Sequence, residues 1–239
     1  MTNPIQRPES EAKIAAMFDR VAPRYDLLNR LLSARQDQRW RRHLAALVPY
    51  RPGGAYLDCA TGTADVLLTV GHKHPEYSEL IGADISAEML AIGQTKVNTS
   101  GLKQAVRLTR MSAEALALPD AKFDCVSISF GLRNVVDRGK ALQEFHRVLK
   151  IGGTLLILEF FIPKRGLLGA VFQLYFHHIL PFIGGILSDR DAYKYLPQSV
   201  GSFYTPDELR SALYERGYIV DSVKSYLFGA CRLVQAIKQ

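Results

Sequence analysis

The sequence has few cysteines and no segment typical of export. Its 239 residues include only Cys59, Cys125 and Cys231, which are scattered and lack the spacing of metal ligands. A disulfide-stabilised fold is therefore excluded, and a chain of this length can bury roughly 70% of its unfolded surface without cross-links. Residues 1–12 carry prolines and charges where a signal peptide has an apolar core, so we expect a cytoplasmic protein.

Internal repeats and low-complexity segments are also absent, which favours a single domain, residues 1–239, that carries an insertion. The chain has 30 Lys and Arg against 23 Asp and Glu, a formal net charge of +7. This excess suits an anionic partner, either nucleic acid or an anionic membrane surface. Composition does not choose between them.

The most informative segment is LDCATGTAD at residues 57–65, which follows a short apolar stretch. Its small residues Ala60, Gly62 and Ala64 let the backbone turn sharply and pass close to a ligand. A second apolar stretch ends at Asp84, where a carboxylate would meet a ribose diol. The pattern predicts a nucleoside site. The alternative is an ordinary strand-to-helix turn in which Asp84 only caps a helix.

The predicted ligand is S-adenosylmethionine rather than a dinucleotide. A dinucleotide needs a third small residue at the start of the helix, because pyrophosphate binds at the helix N-terminus. Here that position is Asp65, whose charge repels phosphate. A cationic sulfonium tolerates both Asp58 and Asp65, and we predict cofactor contacts at Asp58 and Gly62.

Alternating apolar segments and helix caps predict a doubly wound α/β sheet. Strands are expected at 79–84, 105–109, 123–130 and 154–161, followed by an antiparallel pair at 218–226 and 231–237. Helices are expected after Ser86, after Asp137 until Gly152, and from the capping box at Thr205 to Arg216. These units resemble the seven-stranded, mostly parallel sheet of class I S-adenosylmethionine-dependent methyltransferases, with a C-terminal antiparallel hairpin.

Three further segments resemble the signatures of a bacterial family, the menaquinone/ubiquinone biosynthesis C-methyltransferases. They are MFDRVAPRYDLLN at 17–29, SFGLRNV at 129–135 and YKYLPQSV at 193–200, and the resemblance extends over nearly the whole chain. It implies cofactor contacts at Thr63, Asp84, Ser112, Ala113 and Ser129. One departure is TGTAD at 61–65, which has two fewer glycines than the family pattern and so restricts the loop backbone.

The resemblance implies C-methylation, in which an aromatic carbon beside a hydroxyl attacks the sulfonium methyl in line and then loses a proton. Arg133 and Asn134 follow the fourth strand, at the sheet edge where ligands bind. We predict that Arg133 stabilises a phenolate and Asn134 orients an oxygen; alternatively, both bond only to loop carbonyls. Tyr25 is predicted to close over the substrate, unless the helix stops after Pro23.

Residues 166–188 contain no Asp, Glu, Lys or Arg. The length of this uncharged stretch approaches that of a membrane span. Pro181 and the glycines at 184–185 interrupt this stretch, so we predict that 164–200 form an inserted helical cap over the substrate. The alternative is an internal packing helix. His177 and His178 in this segment are candidate bases.

The N-terminal segment 1–50 is predicted to be helical and to lie on the substrate side. Around Trp40 it carries a group of basic residues, Arg35, Arg39, Arg41, Arg42 and His43. They form either a solvated helix face or a site for anionic lipid, where each basic residue contributes about 1 kcal/mol. We predict peripheral contact with the inner face of the plasma membrane.

The expected substrate is a prenylated quinol. We expect demethylmenaquinol, and the alternative is 2-methoxy-6-polyprenyl-1,4-benzoquinol. RNA or protein methylation is the competing function, and a binding module without catalysis is a third. A nucleic-acid partner is not expected, because SFGL at 129–132 replaces the Asn/Asp-Pro-Pro-aromatic turn of amino-group methyltransferases, and no cysteine follows a proline. No metal is predicted, and the oligomeric state is undetermined.

Overall fold

The computed structural model describes residues 10–162 and 190–239. Its strands are β1 (Ala55–Cys59), β2 (Glu79–Asp84), β3 (Ala105–Arg110), β4 (Phe123–Ser129), β5 (Leu149–Phe160), β6 (Tyr218–Tyr226) and β7 (Cys231–Lys238). Its helices are α1 (Glu11–Leu32), α2 (Gln36–Leu47), α3 (Asp65–Lys73), α4 (Ala87–Thr99), α5 (Arg138–Val148), α6 (Arg190–Gly201) and α7 (Pro206–Tyr214).

The strands form one seven-stranded sheet in the order β3-β2-β1-β4-β5-β7-β6. Strands β1 to β5 are parallel, and β7 is antiparallel to both β5 and β6. The predicted sheet is therefore confirmed. Because the chain runs outward from β1 to β3 and then returns to β4, the order reverses between β1 and β4, which is where open α/β sheets bind ligands.

Side chains that alternate along the central strands fill both faces of the sheet. Leu57 and Val126 pack in one core with Phe145 of α5. Tyr56 packs in a second core, with Trp40 of α2. The central strands β1 and β4 are buried on both faces, as their apolar runs predict, so a ligand is expected at the ends of these strands.

Three helices begin at the caps predicted from the sequence. The Ser86 hydroxyl accepts a hydrogen bond from the Met89 amide, at 3.2 Å, and the Asp137 carboxylate accepts from the Lys140 amide at 2.9 Å. Thr205 forms the capping box of α7. These side chains satisfy amide groups that have no partner within the helix.

Two boundaries differ from the prediction by two residues or more. The fifth strand begins at Leu149 instead of Thr154, because Leu149 pairs with Phe123 and is fully buried at the sheet. Gly152, with a positive φ of 71°, therefore lies within the strand and does not end α5. At the other boundary, α7 ends at Tyr214, before the predicted Arg216.

Helix α1 continues through Pro23, so the predicted alternative of a helix stop there is wrong. A proline inside a helix removes one backbone hydrogen bond and costs about 3 kcal/mol. Burial of Val21, Ala22 and Leu28 offsets this cost. Asp19 also accepts a hydrogen bond from the Ser86 hydroxyl, at 2.5 Å, which ties α1 to the start of α4.

Most of the predicted cap lies outside the described residues, as do His177 and His178. Its last part, 190–200, belongs to α6. Among the described residues, no helix combines the length and the apolar character needed to cross a bilayer.

Candidate active site

A cavity opens at the carboxyl ends of β1, β2 and β4. It brings together five residues predicted to contact a cofactor, Gly62, Asp84, Ser112, Ala113 and Ser129. Helix α1 closes one side with Phe18 and Tyr25. The cavity therefore lies at the switch point of the sheet, where the topology predicts a ligand.

Asp84 is held at the wall of this cavity by two backbone amides. Its Oδ2 accepts from the Gly62 amide at 2.8 Å, and its Oδ1 accepts from the Ser86 amide at 2.9 Å. Burial raises the pKa of Asp84, while these two bonds oppose the shift. Each carboxylate oxygen has a further lone pair, so the side chain can still accept from a ribose diol.

The loop after β1 adopts the tight conformation that its sequence suggests. Gly62 has a φ of +55°, and the space where its Cβ would stand is open. Ala64 also has a positive φ, 64°, at a position where the family pattern has glycine. The loop thus keeps its turn without that glycine, at a cost of about 1–2 kcal/mol for a left-handed alanine.

Ser129 supplies an unpaired polar group to the cavity. Its hydroxyl oxygen is buried and has no hydrogen-bond partner among the described residues. An unpaired buried hydroxyl costs about 1–3 kcal/mol, which a polar ligand would recover. With the apolar side chains of Ile85, Met89 and Met111 around it, the cavity fits the base, the ribose diol and the polar groups of S-adenosylmethionine.

Two predicted contact residues lie outside the described lining of this cavity. Asp58 is buried below the loop, where its carboxylate accepts from the Thr61 hydroxyl at 2.7 Å and from the Ser127 hydroxyl at 2.5 Å. Burial raises the pKa of Asp58 to about 6, although both hydrogen bonds oppose the shift. Asp58 supports the loop from beneath in this arrangement.

The Thr63 hydroxyl donates to Asp26 of α1 at 2.7 Å and accepts from the Lys96 ammonium at 3.0 Å. Lys96 also pairs with Asp65, at 2.5 Å, and Arg41 pairs with the same carboxylate. Burial alone would raise the pKa of Asp65, but the two cations lower it below its usual value. From the sequence, the charge of Asp65 is expected to repel the phosphate of a dinucleotide. In the structure, Lys96 and Arg41 compensate that charge.

A second cavity adjoins the first and shares four lining residues with it, Phe18, Tyr25, Phe130 and Asn134. Its wall is rich in aromatic rings. The Phe130 and Phe160 ring centroids are 4.8 Å apart, and those of Trp40 and Phe130 are 6.1 Å apart. A flat aromatic ligand would find apolar ring faces here.

Arg133 and Asn134 both line this second cavity and also bond to the loop backbone. The Arg133 Nη1 donates to the Phe130 carbonyl at 2.6 Å and to Glu159 Oε1 at 2.7 Å. The Asn134 Nδ2 donates to the same carbonyl at 3.2 Å. Among the described residues, Arg133 Nε and Asn134 Oδ1 are buried without a partner. The bonds to the Phe130 carbonyl match the predicted alternative, and the unpaired atoms are available to a ligand.

Glu159 was missed by the sequence reasoning. Its side chain is fully buried next to Arg133, although it lies in one of the most apolar strands of the chain. The available signal was its position as the sole charged residue in the run TLLILEFF at 154–161. Acidic residues are almost never fully buried without a partner, so this position predicts a buried cation nearby.

Tyr25 lies between the two cavities and lines both of them. Its ring makes an edge-to-face contact with Phe18, with centroids 6.3 Å apart. Burial raises the pKa of Tyr25, and a hydrogen bond with Asn29 opposes the shift. The phenol therefore stays protonated near neutral pH and can donate a hydrogen bond.

A sheet of this order, with a nucleoside-sized cavity at its switch point, defines a class I S-adenosylmethionine-dependent methyltransferase. The model of the ubiE/COQ5 methyltransferase family matches residues 7–238. The chain belongs to this family.

Individual relatives agree with this assignment. The chain is 44% identical over 210 residues to the ubiquinone/menaquinone biosynthesis C-methyltransferase UbiE of Geotalea uraniireducens, covering 88% of this chain and 89% of the relative. It is 45% identical over 205 residues to the demethylmenaquinone methyltransferase of Thermus thermophilus, with coverage of 85% and 92%. The crystal structure of a SAM-dependent methyltransferase from Aquifex aeolicus has a similar fold, with a TM-score of 0.62, 20% identity and coverage of 83% and 89%.

Proposed function

We propose that the chain transfers the methyl group of S-adenosylmethionine to a ring carbon of a prenylated quinol, and that this quinol is demethylmenaquinol. The observation that carries the proposal is the pair of adjoining cavities. One has the polar groups of a nucleoside site, and the other has aromatic walls and a buried cation, Arg133. Relatives at 44% and 45% identity that are named for quinone methylation support the substrate class.

The shared wall of the cavities controls the geometry of transfer. When bound, the cofactor supplies an electrophilic methyl group. Phe130 and Asn134 contact both cavities, so they orient the substrate ring towards that methyl group. Trp40 and Phe160 cover the ring with apolar surface and exclude water from the reacting carbon.

Arg133 stabilises the charge that develops on the ring oxygen. Its guanidinium is held by Glu159 and by the Phe130 carbonyl, so it is already oriented before substrate binds. A preorganised cation directed at developing charge contributes about 3–4 kcal/mol to transition-state stabilisation. Tyr25 lines both cavities, so its phenol can donate a hydrogen bond to a ligand in either one.

Two measurements test the proposal. Purified protein should methylate a short-tailed demethylmenaquinol faster than a short-tailed 2-methoxy-6-prenyl-1,4-benzoquinol. Mass spectrometry of quinones from cells that lack the protein should show accumulation of demethylmenaquinone. Accumulation of the methoxybenzoquinone precursor would assign the ubiquinone pathway, and unchanged quinones would contradict the proposal.

We also propose that the chain contacts an anionic membrane surface, because a prenyl tail of several isoprene units stays in lipid. Leu227 and Phe228 are 44% and 78% exposed at the tip of the hairpin between β6 and β7. The adjacent Tyr226 hydroxyl lies 2.9 Å from His43 Nδ1 of α2. Burial lowers the pKa of His43, and the nearby cations Lys224, Arg39 and Arg42 lower it further.

An apolar tip therefore stands beside exposed basic side chains, which is the pattern of a peripheral lipid contact. Arg41, expected from the sequence to join this group, is buried and paired with Asp65. The proposed surface consists of Arg39, Arg42, Lys224, Leu227 and Phe228.

Sedimentation with vesicles of phosphatidylglycerol and phosphatidylcholine tests this surface. We expect binding that weakens at high salt, and further weakening when Phe228→Ser is combined with Arg39→Gln. The variant Tyr214→Ser, which alters an equally exposed aromatic residue on α7, is the control. Equal binding of both variants and the wild type would contradict this surface.

A further inference from the structure

We infer that Asp37 is the general base that removes the proton of a ring hydroxyl. The inference rests on the proposed function, because it requires a quinol in the second cavity. Asp37 is the second residue of α2, is 3% exposed and lines that cavity together with Arg133 and Asn134.

One oxygen of the Asp37 carboxylate is occupied and the other is not. The Ser33 hydroxyl donates to Oδ1 at 2.8 Å, which fixes the orientation of the carboxylate. Oδ2 has no hydrogen-bond partner among the described residues. Arg41 Nη2 lies 3.5 Å from Oδ2, a charge contact that holds the carboxylate but makes no hydrogen bond. A buried carboxylate oxygen without a hydrogen-bond partner indicates a ligand that donates a hydrogen bond to it.

Three residues that line this one cavity each have an unpaired buried atom, and together these atoms complement a quinol. They are two acceptors, Asp37 Oδ2 and Asn134 Oδ1, and one donor, Arg133 Nε. A hydroquinone carries two hydroxyl groups, each of which donates one proton and accepts through its oxygen. The two acceptors therefore match the two donated protons, and Arg133 is left to bind a ring oxygen.

Among these groups, Asp37 has the type of side chain that serves as a general base near neutral pH. Asn134 is neutral, and Arg133 and Arg41 are cations without an acceptor. Tyr25 and Tyr195 also face the cavity, but a phenol is protonated in this range. Asp37 is the sole carboxylate among the described residues of the lining. The base role therefore falls to Asp37.

The proton and electron balance is complete with water as the final acceptor of the ring proton. Asp37 Oδ2 takes the hydroxyl proton, and the oxygen lone pair raises the electron density at the neighbouring ring carbon. That carbon forms the new bond to the methyl group while the sulfur–methyl bond breaks and its electron pair passes to sulfur. After methyl transfer is complete and solvent reaches the ring, the ring carbon loses its hydrogen to water as a proton, and the C–H electron pair restores the aromatic ring. Asp37 then returns its own proton to the ring oxygen.

The experiment uses the full chain, S-adenosylmethionine and chemically reduced 2-prenyl-1,4-naphthoquinone. For Asp37→Asn we expect the rate of single-turnover methyl transfer to fall by about 10²–10⁴-fold, because a general base typically contributes this much. Affinity for S-adenosylhomocysteine should stay within about threefold of wild type, since Asp37 lines only the second cavity. Asp37→Glu, which keeps a carboxylate, should recover part of the rate.

The pH profile separates a base from a residue that merely holds Arg41. As pH rises towards the ionisation of the quinol, the Asp37→Asn rate should climb about tenfold per pH unit, because solvent then removes the proton. The wild-type rate should be flat over the same range. Arg41→Gln, which removes the same ion pair but keeps the carboxylate, should follow the wild-type profile.

Two results would overturn the assignment of Asp37. One is an Asp37→Asn rate within about fivefold of wild type, and the other is a reduced rate that runs parallel to wild type at every pH. Failure of the wild-type chain to methylate this quinol would instead contradict the proposed function. Circular dichroism of each variant identifies loss of fold as a separate cause.

Discussion

The Arg133 guanidinium donates to the Glu159 carboxylate at 2.7 Å, in an ion pair that lies at the second cavity and is almost completely buried. Glu159 holds one end of the guanidinium, and Nε is left without a partner among the described residues. Loss of either member of such a pair leaves an uncompensated buried charge, which costs about 3–5 kcal/mol. The stability of the fold and the proposed catalytic role therefore depend on the same ion pair, and variants of Arg133 need a control for stability.

Arg133→Ala should lower single-turnover methyl transfer by about 100-fold or more, because it removes the cation that we propose stabilises the ring oxygen. Arg133→Lys should restore only part of the rate, since lysine lacks the planar fork of the guanidinium. The double variant Arg133→Ala/Glu159→Gln is the matched control, because it removes the buried charge as well. It should recover stability in urea denaturation but not turnover. Recovery of turnover with stability would assign Arg133 a purely structural role.

Asp84→Ala should weaken S-adenosylhomocysteine binding by more than about tenfold, because the ribose diol loses its acceptor. The Gly62 and Ser86 amides also lose their partner, which loosens the loop. Isothermal titration calorimetry measures the affinity. Asp120→Ala serves as control, since the Asp120 side chain is 76% exposed and outside both cavities. Equal affinities for the two variants would remove Asp84 from the cofactor site.

Gly131→Ala should weaken cofactor binding and lower the free energy of unfolding by about 1–3 kcal/mol. A Cβ at Gly131 would lie 2.4 Å from the Ala60 Cβ, so the loops after β1 and β4 would have to separate. Gly201→Ala at the end of α6 is the matched control, because its added Cβ meets open space. Calorimetric titration and urea denaturation measure both effects. Identical behaviour of the two variants would contradict a requirement for close approach here.

Asp58 should make stability depend on pH between about 4 and 6. Burial raises the pKa of Asp58 from 3.8 to about 6, so the folded state binds this proton more tightly than the unfolded state. The protonated Asp58 side chain therefore contributes to the free energy of unfolding. This contribution is fully present below about pH 4 and is lost as pH rises through about 6, a change of about 3 kcal/mol. Asp58→Asn removes the ionisable group. The free energy of unfolding of this variant relative to wild type should therefore increase as pH rises across that range.

Urea denaturation at intervals from about pH 4 to pH 7 measures this difference. Asp221→Asn, which alters an exposed carboxylate on β6, should remain parallel to wild type. Parallel curves for Asp58→Asn as well would show that Asp58 has the same affinity for its proton in the folded and unfolded chain.

The sequence alone determined the architecture and predicted the cavity that we assign to the cofactor. Periodic apolar segments and local caps such as Ser86 and Thr205 depend on neighbours within a few residues, so they can be read along the chain. Because the carboxyl ends of parallel strands meet at one edge, candidates after different strands, including Gly62, Asp84 and Ser129, were expected at one place, and they line one cavity.

Only the tertiary structure decided which polar groups are already paired and which still face a ligand. Thr63 pairs with Asp26 and Lys96, far apart in the chain, and Arg133 pairs with Glu159. Asp37 stands among several charged residues of α2, and nothing in its sequence neighbours distinguishes it. What distinguishes it is its burial beside the second cavity. Hydrogen bonding and burial depend on contacts between distant segments, and sequence periodicity does not encode those contacts.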